Sequence, residues 1–272
     1  MEAASGADGA ELMRILGDPA PDRAAARLEA MIERRRRGEP LQYVAGSWGF
    51  RQLDLMVDER VLIPRPETEV VVEVALAELR RLRSERGHSR PLVVVDLGTG
   101  SGAIALSLAL EAPPVAGPIH VWATDASAEA LEVASANLAG LAGAAATRVR
   151  LARGDWWDAL PTDLAGRVDL VVSNPPYVAE ADEVEAEVSA WEPTPALWSG
   201  PTGLEDTARI LAGAQEWLGP PTSVVVVEIA SQRAAESMAV AEAHGFQAEV
   251  RPDLAGRDRV LIARTGPPPT TS

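Results

Sequence analysis

Leu92-Val93-Val94-Val95-Asp96-Leu97-Gly98-Thr99-Gly100-Ser101-Gly102 is the stretch that decides the fold. A short continuous apolar run closed by turn residues reads as a strand buried on both faces. Glycines at alternate positions let the main chain turn tightly and let a ligand approach it closely. Ala103 to Leu110 then has the composition of a buried helix. The unit is strand, glycine loop, helix, and the same alternation continues downstream. Ile119–Thr124 is a strand ending at Asp125, and Ala128 to Leu138 a helix. Val149–Ala152 is a strand leading to Gly154-Asp155-Trp156-Trp157, and Val168–Ser173 one ending at Asn174. After a proline-rich stretch come a helix over Leu204 to Leu218, a strand over Val224–Ile229 and a helix over Arg233 to His244. Gln247–Arg251 and Val260–Ala263 close the pattern as two strands with no helix between them. The prediction is an α/β fold, Rossmann-like, with a mostly parallel sheet covered on both faces and one antiparallel edge strand.

Upstream the pattern differs. Residues 1 to about 21 read as loop, and Ala24 to Arg37 as a helix ended by Gly38 and Pro40. The arginine run Arg34 to Arg37 either complements that helix's dipole or docks an acidic partner or ribosomal RNA. Phe50, Leu53, Leu55, Val57 and Val61 to Ile63 predict two short strands forming a hairpin around Asp58-Glu59. Pro64-Arg65-Pro66-Glu67-Thr68-Glu69 leads into a helix over Val70 to Arg83, with Thr68 or Glu67 as its cap. The tail from Gly266 to Ser272, rich in proline, is expected to be disordered. At 272 residues the chain suits about two domains, or one large domain with an appendage, and no internal repeat is visible.

Composition narrows the class. The formal net charge is −15, which repels nucleic acid unless a local basic face exists. All 25 basic residues are arginine, a compositional bias rather than a functional signal. With no cysteine, disulfides and thiol nucleophiles are excluded, and His88, His120 and His244 lack metal-site spacing. No apolar run reaches the roughly 20 residues that cross a bilayer, and Met1 to Ala10 lacks the features of a signal peptide. The expectation is a cytoplasmic protein without a metal or a membrane anchor.

Two motifs carry chemistry. The loop Gly98 to Gly102 would hold a nucleoside ligand at the carboxyl ends of the strands, with Asp125 accepting from two ribose hydroxyls. Gly98, Gly100 and Ala103 also satisfy a dinucleotide fingerprint, so NAD rivals S-adenosylmethionine on this loop alone. Asp96, placed to meet a cationic amino-acid moiety, favours S-adenosylmethionine. So does the second motif, Asn174-Pro175-Pro176-Tyr177. Its two prolines remove two N–H donors and hold Asn174 and Pro175 extended. That leaves the Asn174 side-chain oxygen and backbone carbonyls as acceptors for a planar NH2 group, with Tyr177 to stack on its face. Such a site works by orientation and electrostatics. Trp156 reads as either a core aromatic or the edge of an adenine pocket.

At these residues the chain resembles the HemK/PrmC family of release-factor glutamine methyltransferases. The resemblance runs from Gly38 to Arg264. Its carriers are Gly38-Glu39-Pro40-Leu41-Gln42-Tyr43, Leu62-Ile63-Pro64-Arg65-Pro66-Glu67-Thr68-Glu69, Asp96 to Gly102, Asn174 to Tyr177, and Asp253-Leu254-Ala255-Gly256-Arg257-Asp258-Arg259. It implies a seven-stranded class I methyltransferase domain behind a small helical N-terminal domain that helps dock a release factor. It implies that Gly98, Thr99, Gly100, Ser101, Gly102, Asp125, Trp156 and Asn174 contact S-adenosylmethionine. It further implies that Asn174, Pro175, Pro176 and Tyr177 hold the glutamine amide of a Gly-Gly-Gln motif, with Asn174, Pro175 and Tyr177 serving the transfer. Two departures stand out. The region before Gly38 is short for the family, and Ala230 stands where the family tends to have glycine.

The expected organisation is a helical docking region over 1–47, a hairpin connector with the Pro-Arg-Pro-Glu-Thr-Glu segment over 48–69, the methyltransferase domain over 70–264 and a tail over 265–272. The expected partner is a peptide chain release factor, with no stable nucleic-acid binding and a monomeric state. The rival activity is adenine N6-methylation of DNA or RNA, since adenine also presents a planar exocyclic amine. The net charge of −15 disfavours it.

Overall fold

The computed structural model describes residues 5, 9–15, 21–87, 90–141, 143–219 and 222–266. The expected disordered tail beyond residue 266 lies outside them. The N-terminal segment is helical: α1 (Gly9–Ile15), α2 (Asp22–Arg36) and α3 (Leu41–Ala45). Residues 1–21 are therefore not wholly loop. Helix α2 ends in Arg34, Arg35 and Arg36, where cations suit the carbonyl end of the dipole. Arg34 also pairs with Glu39 and donates to the Tyr43 carbonyl at 3.0 Å, tying α2 to α3.

Strands β1 (Ser47–Phe50) and β2 (Leu53–Met56) form the hairpin, but it turns at Arg51-Gln52, not around Asp58-Glu59. Arg51 sits at φ 51°, a left-handed conformation that L residues rarely adopt. Two 2.7 Å bonds to Glu111 hold its guanidinium there. Val57, Val61 and Ile63 are buried without being strand residues; they pack with Tyr43 and Val133 in a small core cluster. Helix α4 (Pro66–Arg86) begins four residues earlier than expected, because Pro66 fits the first helical position. Neither Thr68 nor Glu67 caps it; the N-cap is Arg65, with no side-chain hydrogen bond.

The main domain follows as β3 (Leu92–Leu97), α5 (Ala103–Glu111), the short α6 (Pro113–Ala116), β4 (Ile119–Asp125), α7 (Ala128–Gly140), β5 (Val149–Arg153) and β6 (Leu170–Ser173). After it come α8 (Ala186–Trp191), α9 (Glu205–Trp217), β7 (Val224–Glu228), α10 (Ala234–Ala243), β8 (Gln247–Pro252) and β9 (Asp258–Arg264). The seven strands pair in the order β5-β4-β3-β6-β7-β9-β8. Only β9 runs against the direction of the other six strands, and it lies inside the sheet rather than at the edge as expected. β8 folds back around β9 to become the edge.

Valine-rich strands read as continuous apolar runs because helices cover both faces. Side chains alternate between them. Val94, Leu170, Val172, Val224 and Val226 join the core under α4 and α5, whereas Val93, Val95, Val171, Val225 and Val227 join the core under α9 and α10. The chain runs outward from β3 to β5 on one side and from β6 to β7 on the other, so the direction reverses between β3 and β6. Ligands of open α/β sheets bind at the carboxyl ends beside such a reversal. Among the described residues, no helix is long and apolar enough to cross a membrane.

Candidate active site

A cleft of about 420 Å³ opens at that reversal. It is lined by Gly98, Thr99, Gly100, Ser101, Asp125, Trp156, Asn174 and Pro176, all singled out from sequence. Gly98, Gly100 and Gly102 have φ of 72°, 55° and 86°. At Gly98 an added Cβ would lie 3.6 Å from the Trp156 ring, an ordinary van der Waals contact, so it is the left-handed φ that calls for glycine there. Gly102 does not line the cleft. It caps α5, where an added Cβ would come within 3.1 Å of Leu106.

Asp125 organises the loop. Its carboxylate accepts from the Gly100 and Ser127 amides, both at 2.9 Å. Burial raises its pKa, against the pull of those amides. Asp96 is fully buried and accepts from the Thr99 hydroxyl at 2.6 Å and the Ala105 amide at 3.1 Å, both through Oδ2. Its Oδ1 is buried without a partner among the described residues. Burial pushes this carboxyl up to about 7, the two bonds opposing and the nearby Asp125 reinforcing.

The Asn-Pro-Pro-Tyr residues straddle two spaces. Asn174 lines the main cleft and also a smaller pocket of about 140 Å³, which Pro175 and Tyr177 line with it. Asn174 Nδ2 donates to Thr68 Oγ1 at 3.2 Å, while its Oδ1 is buried with no partner among the described residues. Tyr177 donates its hydroxyl to Glu228 at 3.3 Å. Burial, chiefly, raises its pKa, so it stays a donor. Sequence reasoning missed two residues here, Thr68 and Glu228. The Thr68 hydroxyl donates to Glu228 at 2.7 Å, and the two are 3% and 1% exposed. The available signal was an acidic residue closing a valine strand, as Asp96 and Asp125 close theirs. The Pro64–Glu69 segment lies against the site through Thr68, and Arg65 pairs with Glu192. No group of three or more acidic or histidine side chains among the described residues is placed to hold a metal ion.

Strand order, loop and cleft together define a class I methyltransferase domain. A family model described as a methyltransferase small domain matches residues 79–191, and one described as the PrmC N-terminal domain matches residues 1–46. A release factor glutamine methyltransferase of Cereibacter sphaeroides is 41% identical over 265 residues, covering 94% of this chain and 86% of that one. One of Xylella fastidiosa (strain 9a5c) is 40% identical over 244 residues, covering 89% and 82%. A methyltransferase structure from Pyrococcus furiosus shares the fold at a TM-score of 0.54 and 17% identity, covering 89% of this chain and 100% of that one. The chain belongs to the release factor glutamine methyltransferase family.

Proposed function

We propose that the chain methylates the side-chain amide nitrogen of a glutamine in a peptide chain release factor, with S-adenosylmethionine as donor. The observation that carries this reading is the buried, unpartnered Oδ1 of Asn174, on a side chain that lines both the cleft and the smaller pocket. A buried acceptor without a donor is unfavourable, and an NH2 group satisfies it. Asp96 Oδ1 is a second such atom beside the glycine loop, suited to a cationic ligand group. When bound, the cofactor supplies an electrophilic methyl group on a sulfonium.

The chain's own residues then have separable tasks. Gly98 to Ser101 and Asp125 hold the nucleoside part, with Trp156 beside the loop. Asn174 accepts one hydrogen of the amide, and the Pro175 and Pro176 backbone, which lacks N–H groups, leaves carbonyls for the other. Tyr177 packs against the amide plane. An amide nitrogen is a weak nucleophile, and acceptors on its hydrogens raise its electron density as the N–C bond forms. The N–H proton leaves after transfer. A substrate that works in translation places the reaction in the cytoplasm.

The direct test is mass spectrometry of a release factor incubated with the protein and methyl-labelled cofactor. The expected product carries one added methyl on a glutamine. Label that appears only on DNA or RNA would instead support adenine methylation. Within the same reading, Asp125→Ala is expected to weaken cofactor binding by about 1–3 kcal/mol, the scale of lost hydrogen bonds to a charged acceptor. Unchanged affinity by calorimetry would remove Asp125 from the cofactor site.

A further inference from the structure

We propose that Glu228, acting through Thr68, determines which atom of the Asn174 carboxamide faces the acceptor, making both positioning residues for transfer to an NH2 group. The proposal rests on the activity proposed above and assigns roles to two residues that the Asn-Pro-Pro-Tyr motif does not contain.

A carboxamide has nearly the same shape in its two flipped orientations, but one presents an acceptor and the other two donors. Only the first receives an NH2 hydrogen. Asn174 holds no internal preference between them, so a neighbour must decide. Thr68 is that neighbour. Its hydroxyl has a single proton, and that proton goes to Glu228 Oε2 at 2.7 Å. The hydroxyl can meet Asn174 only as an acceptor, and it takes Nδ2–H at 3.2 Å. Oδ1 is left as the free atom. The other Glu228 oxygen accepts the Tyr177 hydroxyl, so one carboxylate orients two residues of the motif.

The placement argues for a purpose. Glu228 ends the all-valine strand β7 and is 1% exposed, and burying a carboxylate is unfavourable unless it is well paired. Its neighbours come from three segments. Thr68 and Glu67 are on α4, Tyr177 follows β6, and Arg259 on β9 attracts it. Arg259 itself donates to the Ile229 carbonyl at 3.2 Å. Burial pushes the Glu228 carboxyl up to about 7, with Thr68, Arg259 and Tyr177 opposing and Glu67 reinforcing. Once protonated, it no longer demands the Thr68 proton. Thr68 is then free to donate to Oδ1, and the flipped Asn174 presents NH2 to NH2. During transfer the amide N–C bond forms as the S–C bond breaks, and one N–H proton then departs to water. The Asn174 acceptor strengthens as nitrogen gains positive charge, so its orientation acts on kcat rather than on cofactor binding.

The test compares Glu228→Gln, Thr68→Val and Thr68→Ser. Glu228→Gln keeps the shape but can donate to Thr68, reversing the relay. Its kcat on release factor is expected to fall by about 10²-fold, the scale of losing one preorganised transition-state contact, with cofactor Kd and thermal midpoint unchanged. Thr68→Val should lose a comparable amount, and Thr68→Ser, which keeps the hydroxyl, should restore most of it. Adding Glu228→Gln to Thr68→Val should cost only what the Tyr177 hydroxyl bond contributes, far less than the product of the two single losses. The wild-type kcat should fall as pH drops through about 7, a limb that Thr68→Val lacks. A Glu228→Gln enzyme with normal kcat, or a serine variant as slow as the valine one, overturns the proposal. The Asn174 side-chain amide resonances give a readout without turnover: a contact between its NH2 and the Thr68 side chain should be present in the wild type and lost in Glu228→Gln. If the wild type failed to methylate release factor, the proposed activity would fall, and this contact would still decide the relay.

Discussion

Asn174→Ala is expected to lower kcat on release factor by roughly 10²–10³-fold, as removal of a preorganised transition-state contact does elsewhere, while cofactor affinity stays near wild type. The separation follows from the geometry. The proposed cofactor contacts are spread over the loop Gly98 to Ser101, Asp125 and Trp156, which line the cleft and all of which remain. On the proposed reading, the side-chain acceptor that meets the amide is a single atom, Asn174 Oδ1. Removing the side chain also leaves Thr68 without the Nδ2–H it accepts, but Thr68 keeps its bond to Glu228, so the local fold should persist. Kinetics under saturating substrate and calorimetry with the cofactor check the two halves separately. A variant with near-normal kcat would remove Asn174 from the transfer step, and a large loss of cofactor affinity would move its role to binding.

How much of this was legible in the sequence follows physical lines. Strands β3, β6 and β7 were readable because burial on both faces demands unbroken apolar runs, and their carboxyl-end residues Asp96, Asn174 and Glu228 mark where polarity returns. Glycine loop and Asn-Pro-Pro-Tyr fell on the same cleft because both follow strands beside the chain reversal. Features set by distant partners were not readable. The hairpin turns at Arg51, which lacks the glycine or asparagine signature and depends on Glu111, 60 residues away. Val57, Val61 and Ile63 mimic a strand because they are buried, yet their partners are Tyr43 and a helix rather than a ladder. β9 enters between β7 and β8 although local pattern cannot distinguish inner from edge positions. The Thr68–Glu228 bond spans 160 residues, and a threonine in the first turn of a helix looks like a cap until the strand end opposite it is known.

On the proposed reading the cleft recognises only an amide, and amides occur throughout any protein, so selection must come from surfaces beyond Asn174 to Tyr177. A folded release factor is therefore expected to be methylated with a kcat/KM at least about 10²-fold above that of a short peptide carrying the same glutamine, because remote contacts supply binding energy that orients the reacting group. The candidate dock remains the helical segment up to about residue 47. Removing all of it is a poor test, since Tyr43 and Val44 are buried and the Tyr43 hydroxyl bonds the Val61 carbonyl at 2.6 Å. Exposed apolar side chains on the same helices are better probes. Met13 is 72% exposed, Ile32 42% and Leu41 56%. Ile32→Asp and Leu41→Asp change surface without removing core, and each should raise KM for the folded substrate by roughly 5- to 30-fold, the effect of losing about 1–2 kcal/mol of interface contact. Peptide kinetics should be unaffected, because the peptide reaches only the cleft. Arg35 on the same face is committed to Glu187 of α8 at 2.8 Å, so the helical segment also contacts a helix close to the smaller pocket, whose lining includes Val188. If protein and peptide proved equally good substrates, the cleft alone would select. If the protein were preferred yet both aspartate variants matched wild type, the dock would lie elsewhere on the rim, and the segment's role would be to support the core cluster of Val57, Val61 and Ile63.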